Sequence, residues 1–145
     1  MPGNPAILHP VIQHLPAWYR RFACWVFIPA VAVVVWGELK PSTSGPEMIW
    51  DKLLHFIAYF GLGGIATVAL GRLRPAIWAA AGLAAFGGVL EIVQSFVGRD
   101  AEWGDEFANI AGACIGLLAG WQTVRLARRL AGRREQRGGP YGHVR

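Results

Sequence analysis

The sequence predicts an all-α membrane protein, a bundle of four transmembrane helices with both termini on the cytoplasmic side. Three observations carry this. Apolar residues make up 54% of the chain, above the roughly 45–50% of an ordinary soluble domain. They gather into four blocks, each close to the ~20 residues a helix needs to cross hydrocarbon. The basic residues fall on one side of the membrane when the blocks are threaded through it in turn.

The 145 residues suffice for one domain. A lead-in, 1–16, precedes the first span, expected over about 17–37, whose centre "FACWVFIPAVAVVVW" is uninterrupted. Trp18 and Tyr19 at one end and Trp36 at the other suit the two interfaces, and Pro29 is expected to kink it. A cleaved signal peptide fits less well, because the lead-in is long and no small-residue cleavage site follows the run. The Arg20-Arg21 pair is only a weak twin-arginine match. With no ionisable residue between Phe22 and Trp36, span one is expected to be peripheral packing.

The second, third and fourth spans are expected over about 52–70, 75–97 and 105–121, so the membrane domain covers 17–121. The remainder, 122–145, is a basic cytoplasmic tail, a helical extension fraying at Gly138-Gly139-Pro140. Its arginines suit anionic inner-leaflet lipid, at about 1 kcal/mol each near the surface; membrane lipids, and not nucleic acid, are the expected partners.

Orientation follows from the basic residues. With the N-terminus inside, Arg20, Arg21, Arg72, Arg74 and the seven arginines from Arg125 to Arg145 are cytoplasmic, and only Lys40, Lys52 and Arg99 are outside, 11 against 3. The acids gather outside, with Glu38 assigned to the loop after span one. Cys24 and Cys114 sit in apolar runs without CxxC spacing and read as small core residues.

This topology brings three helix ends to the outer level. Asp51 and His55 are four apart on span two, with Tyr59 one turn deeper; Glu91 and Gln94 are three apart on span three; Asp105 and Asn109 are four apart on span four. Each pair shares a helix face. Glu91 lies seven residues before Gly98, roughly 10 Å below that end at 1.5 Å per residue. An unpaired carboxylate there costs on the order of a few kcal/mol, so it should face the bundle and find a partner among His55, Lys52, Arg99 and Gln94, or carry a proton. Gly112, Gly116 and Gly120 on span four, and Ala80, Ala84 and Gly88 on span three, recur every four residues and allow close helix approach.

The runs "DKLLHFIAYFGLG" and "LEIVQSFVGRDAEWGDEFANIAGACIG" resemble the VanZ-like family of membrane proteins. The resemblance rests on Asp51-Lys52-x-x-His55, then Glu91-x-x-Gln94, then Arg99 followed by Asp105 and Asn109, and spans about 51–120. One departure is Val97 before Gly98, where many members carry proline. The resemblance implies a small multi-pass protein of the bacterial cytoplasmic membrane in a family tied to teicoplanin resistance, and it implies no settled reaction or ligand.

The leading functional reading is a binding site, formed by Asp51, Lys52, His55, Glu91, Gln94, Arg99, Asp105 and Asn109, for a lipid-linked or glycopeptide-related envelope ligand. An enzyme comes second: His55 as general base with Asp51 or Glu91 orienting it, and Arg99 and Lys52 holding an anion. No serine or cysteine nucleophile lies in the motif. A metal held by His55, Glu91 and Asp51 comes third, because the spacing carries no diagnostic ligand pattern; no metal or cofactor is assigned. Ion transport comes fourth, since no acid continues the path through the inner half of any span. Against all of these stands a purely structural polar network fixing helix register, at about 0.6 kcal/mol per interaction.

Overall fold

A computed structural model describes residues 17–39, 48–96 and 102–137. These form four helices, α1 (Ala17–Leu39), α2 (Met48–Leu70), α3 (Leu73–Gln94) and α4 (Trp103–Arg137). Each is long and apolar enough to cross a membrane, and the described residues contain no strand. The chain is an all-α four-helix bundle of multi-pass membrane type.

The helix bounds depart from the expected spans in instructive places. α1 runs unbroken through Pro29 and continues two residues past Gly37, to Leu39. α2 begins at Met48, ahead of the charged pair Asp51-Lys52. α3 stops at Gln94; Val97 and Arg99 lie outside the described residues, as do 1–16, 40–47 and 138–145. α4 is a single helix of 35 residues that carries the chain through the start of the basic tail without a break.

Large apolar side chains line the outside of the bundle, among them Trp25, Trp36, Trp78, Phe96 and Phe107. On a bundle in water that surface would drive aggregation; in a bilayer it is the surface that faces lipid. Cys24 and Cys114 lie on it, exposed, which corrects their reading as core residues: each sits on the lipid-facing side of its helix, where a thiol behaves as a small apolar group.

The most extensive interface joins α2 to α4, and glycine makes it. A Cβ on Gly112 would run into the Phe56 carbonyl oxygen and one on Gly116 into that of Phe60. A Cβ on Gly120 would stand 2.7 Å from Gly64 O, and one on Gly63 2.5 Å from Ala113 O. The two backbones touch along a little more than two turns because nothing but hydrogen lies between them. Tyr59, Leu62, Leu83 and Ala113 form the buried core beside this seam, with Phe27, Ala30, Val31 and Val34 of α1 packed onto it.

At the opposite end from the polar pairs, two arginines close the α2–α3 turn. Gly71 takes the left-handed conformation, φ 63°, and its N–H donates to Thr67 O at 2.9 Å, ending α2 as glycine commonly ends helices. Arg20 of α1 donates through Nε to Ala69 O at 2.9 Å, and Arg128 of α4 donates to Gly71 O. Both cations meet the carbonyl end of a helix dipole. The same contacts put the start of α1 and the far part of α4 at one end of the bundle.

Candidate functional site

Each helix buries one stripe of residues, and the composition of that stripe changes toward one end. On α3 the stripe is Ala76, Ala80, Leu83, Gly87, Leu90, Glu91 and Gln94. On α4 it is Asp105, Asn109, Gly112, Ala113, Gly116, Leu117, Gly120 and Val124. On α2 it opens with His55 and Tyr59, and on α1 the buried position nearest that end is Glu38. The spacing is helical throughout. Positions that elsewhere hold alanine, leucine or glycine hold an acid, an amide or a histidine at this one end, in all four helices.

His55 sits at the centre. Its Nδ1 lies 3.1 Å from Asn109 Oδ1, 3.5 Å from Glu38 Oε1 and 3.9 Å from Glu91 Oε1. All three neighbours accept hydrogen bonds, so Nδ1 carries the proton and donates. The Asn109 amide is turned to suit: its Nδ2 donates to Glu106 Oε2 at 3.4 Å, which aims Oδ1 at the imidazole. Glu91 Oε2 accepts from the Glu102 N–H at 3.3 Å, tying α3 to the start of α4. Gln94 donates to the Glu38 carbonyl at 3.1 Å. Lys52 is shared by Glu102 at 2.5 Å and Asp105 at 3.4 Å. Asp51 presents its carboxylate to the same space as His55 and Asp105. Tyr59, fully buried one turn below His55, floors the cluster.

Of the eight residues expected to form the site, seven therefore converge: Asp51, Lys52, His55, Glu91, Gln94, Asp105 and Asn109. Arg99 lies outside the described residues. Glu38 is the addition that the sequence reading missed, and it corrects the view of span one as peripheral. Two residues past Trp36 is about 200° around a helix, so with Trp36 facing out, Glu38 faces in. The signal was present: Glu38 continues the inward row Ala23, Phe27, Val31, Val34 at a spacing of four, four, three and four. Ser95, by contrast, is exposed and donates to Ile92 O, so it lends the cluster no nucleophile.

Gly87 makes room for the cluster on α3. A Cβ there would stand 2.8 Å from Asn109 Nδ2, 2.9 Å from Glu106 Oε2 and 3.1 Å from the Tyr59 hydroxyl. Gly87→Ala is expected to cost about 1–3 kcal/mol by overpacking, read as a lower unfolding midpoint in detergent. Gly82→Ala, with nothing within 4 Å, should leave the midpoint in place. Equal midpoints would mean that α3 does not pack against the polar groups.

Comparison with protein-family models, with curated proteins and with solved structures finds no match to this chain.

Proposed function

We propose that the chain is a multi-pass protein of the bacterial cytoplasmic membrane whose polar cluster opens at the outer face. There it binds the headgroup of a lipid-linked or glycopeptide-related envelope ligand, contributing to envelope or antibiotic tolerance. One observation carries this reading: all four helices give core positions at the same end to buried polar or ionisable groups, while Thr67 is the one other buried polar side chain among the described residues. Polar contacts used only to hold membrane helices together contribute about 0.6 kcal/mol each, a small gain against the cost of burying Glu38, Glu91 and Asp105. The resemblance of the motif order to the VanZ-like family supports the same compartment, and the 11 to 3 split of basic residues supports the orientation.

The charge of the cluster narrows the ligand. Glu38, Asp51, Glu91, Glu102, Asp105 and Glu106 gather there with Lys52 as the one cation among the described residues. Hydroxyl-rich sugars and ammonium groups suit such a surface, while a bare phosphate does not. A second reading, a membrane-embedded enzyme, draws on the placing of His55 between two carboxylates and an amide, as a general base is held. With Ser95, Cys24 and Cys114 exposed away from the cluster, water would be its nucleophile.

Two measurements test the proposal. In a chain with Cys24 and Cys114 replaced by alanine, a cysteine introduced at Ser44 should react with an impermeant thiol reagent on cells whose outer membrane, if present, is permeabilised. A cysteine introduced at Gly139 should not, and labelling at Gly139 alone would remove the outer-face site. Native mass spectrometry of the gently purified protein should then show a retained headgroup-bearing molecule that His55→Ala loses. Equal retention by both proteins would place the ligand elsewhere.

A further inference from the structure

We propose that Asp51, His55 and Asp105 form a binding site for a divalent transition-metal cation of the zinc or manganese class. The proposal deepens the reading of the same cluster as a ligand site and rests on that reading. One donor atom from each of the three residues lies within 4.8 Å of the other two. Donors bonded tetrahedrally to one ion at about 2.0–2.2 Å stand roughly 3.3–3.6 Å apart, so the set closes on an ion once its donors draw together by up to about 1 Å.

The imidazole is prepared for this role. Its Nδ1 proton is directed to Asn109 Oδ1 at 3.1 Å, with the Glu38 and Glu91 carboxylates at 3.5 and 3.9 Å behind it. With the proton on Nδ1 the lone pair is on Nε2, the nitrogen that the proposed site gives to the metal. A metal-bound histidine almost always donates its other ring N–H to a carboxylate or carbonyl oxygen, which fixes the tautomer and raises the basicity of the ligating nitrogen.

Two observations favour a cation here. The Asp105 side chain is only 5% exposed, and the ion pair of its Oδ1 to Lys52 is too poorly aligned to make a hydrogen bond. Its nearest positive charge, Lys52 Nζ, is 3.4 Å away and bound more closely to Glu102, at 2.5 Å. The cluster as a whole also holds six carboxylates against one lysine among the described residues, an excess that a divalent ion relieves. One histidine and two carboxylates are a donor set for zinc or manganese more than for magnesium or calcium, which favour all-oxygen sites. Three protein donors also leave coordination positions open, as catalytic and ligand-exchanging sites do. An anionic headgroup that the bare carboxylates would repel can bind through the ion.

The sequence spacing concealed this set. Asp51 and His55 are one helical turn apart, but Asp105 arrives from a helix fifty residues further on, and the trio that sequence alone suggested had Glu91 in its place. Glu91 instead faces the protonated nitrogen of His55.

The test uses the full chain in detergent, freed of any affinity tag, stripped with chelator and reloaded with zinc, manganese or magnesium. Bound metal is measured by mass spectrometry of the elements, and cobalt substitution is read from its visible bands. The expected result is one zinc or manganese per chain and no retained magnesium, falling to background in Asp105→Asn and in Asp51→Asn. Asp51 is half-buried near the start of α2, so the second variant remains informative if the first fails to fold. Lys52→Met should tighten the metal by about tenfold, the scale on which groups next to a metal site act, because it removes the competing ammonium. No metal in the folded wild-type chain overturns the proposal, and so does metal kept by both aspartate variants. Ligand retention is measured separately in chelator: a headgroup held without metal preserves the binding reading while the cation site falls, and a metal held without any headgroup does the reverse.

Discussion

The Glu91→Gln protein is expected to fold, to reach the membrane and to lose its protection against a lipoglycopeptide or another envelope stress that depends on this chain. The substitution keeps the shape and can keep the one hydrogen bond that Glu91 Oε2 accepts from the Glu102 N–H. It removes the negative charge whose Oε1 stands 3.9 Å from His55 Nδ1, too far for a hydrogen bond but close for an electrostatic neighbour. The NH2 that replaces Oε1 then turns a donor toward the imidazole. The expected loss is about tenfold in affinity for a ligand that depends on His55, roughly 1.4 kcal/mol. His55→Ala should lose protection to the same degree. In a network that merely glues helices, Glu91→Gln is mild, because it removes a buried charge. Full protection by both variants, at normal yield and melting temperature, would sink the functional reading. To separate loss of function from loss of fold, the two proteins must show wild-type yield and an unchanged melting temperature.

The largest structural effect should come from Gly116→Leu. The added Cβ alone would overlap the Phe60 carbonyl and stand 3.0 Å from Gly64 N, and both are backbone atoms that no rotamer change can move aside. α2 and α4 would have to separate along their whole seam, breaking the packing at Gly112 and Gly120 as well. Core overpacking costs about 1–3 kcal/mol where side chains can adjust; against backbone the expected cost exceeds that, and the variant should be lost from the membrane fraction. Gly61→Leu on the same helix pair is the control, because nothing lies within 4 Å of its Cβ position. Equal yields of the two variants would refute the close crossing.

The number of helices and most of the site were legible because hydrophobic blocks and one-turn spacings are local signals. Asp51–His55, Glu91–Gln94 and Asp105–Asn109 each declare a shared face within their own helix, and a membrane topology brings those faces to one level. What sequence could not show is which helix meets which. Glu38 reads as a loop acid because it follows the interfacial Trp36, although it continues the helical row of Val31 and Val34, which the packing of those two against the core shows to face inward. The Lys52–Glu102 and Lys52–Asp105 ion pairs join residues fifty and fifty-three positions apart. Cys24 was misread because an apolar run in a membrane helix says that a residue is out of water, without saying whether protein or lipid surrounds it.

The glycine seam has a mechanical consequence. Two backbones in direct contact over a little more than two turns have no side chains through which to slide, so α2 and α4 move as one stiff plate. Asp51, His55, Asp105 and Asn109 are all mounted on that plate and hold their mutual spacing whatever the rest of the bundle does. Glu38 and Glu91 ride on α1 and α3, which meet the plate through ordinary side chains that can shear. The cluster thus has one fixed jaw, set by the α2–α4 seam, and one jaw whose position depends on how α1 and α3 pack against it.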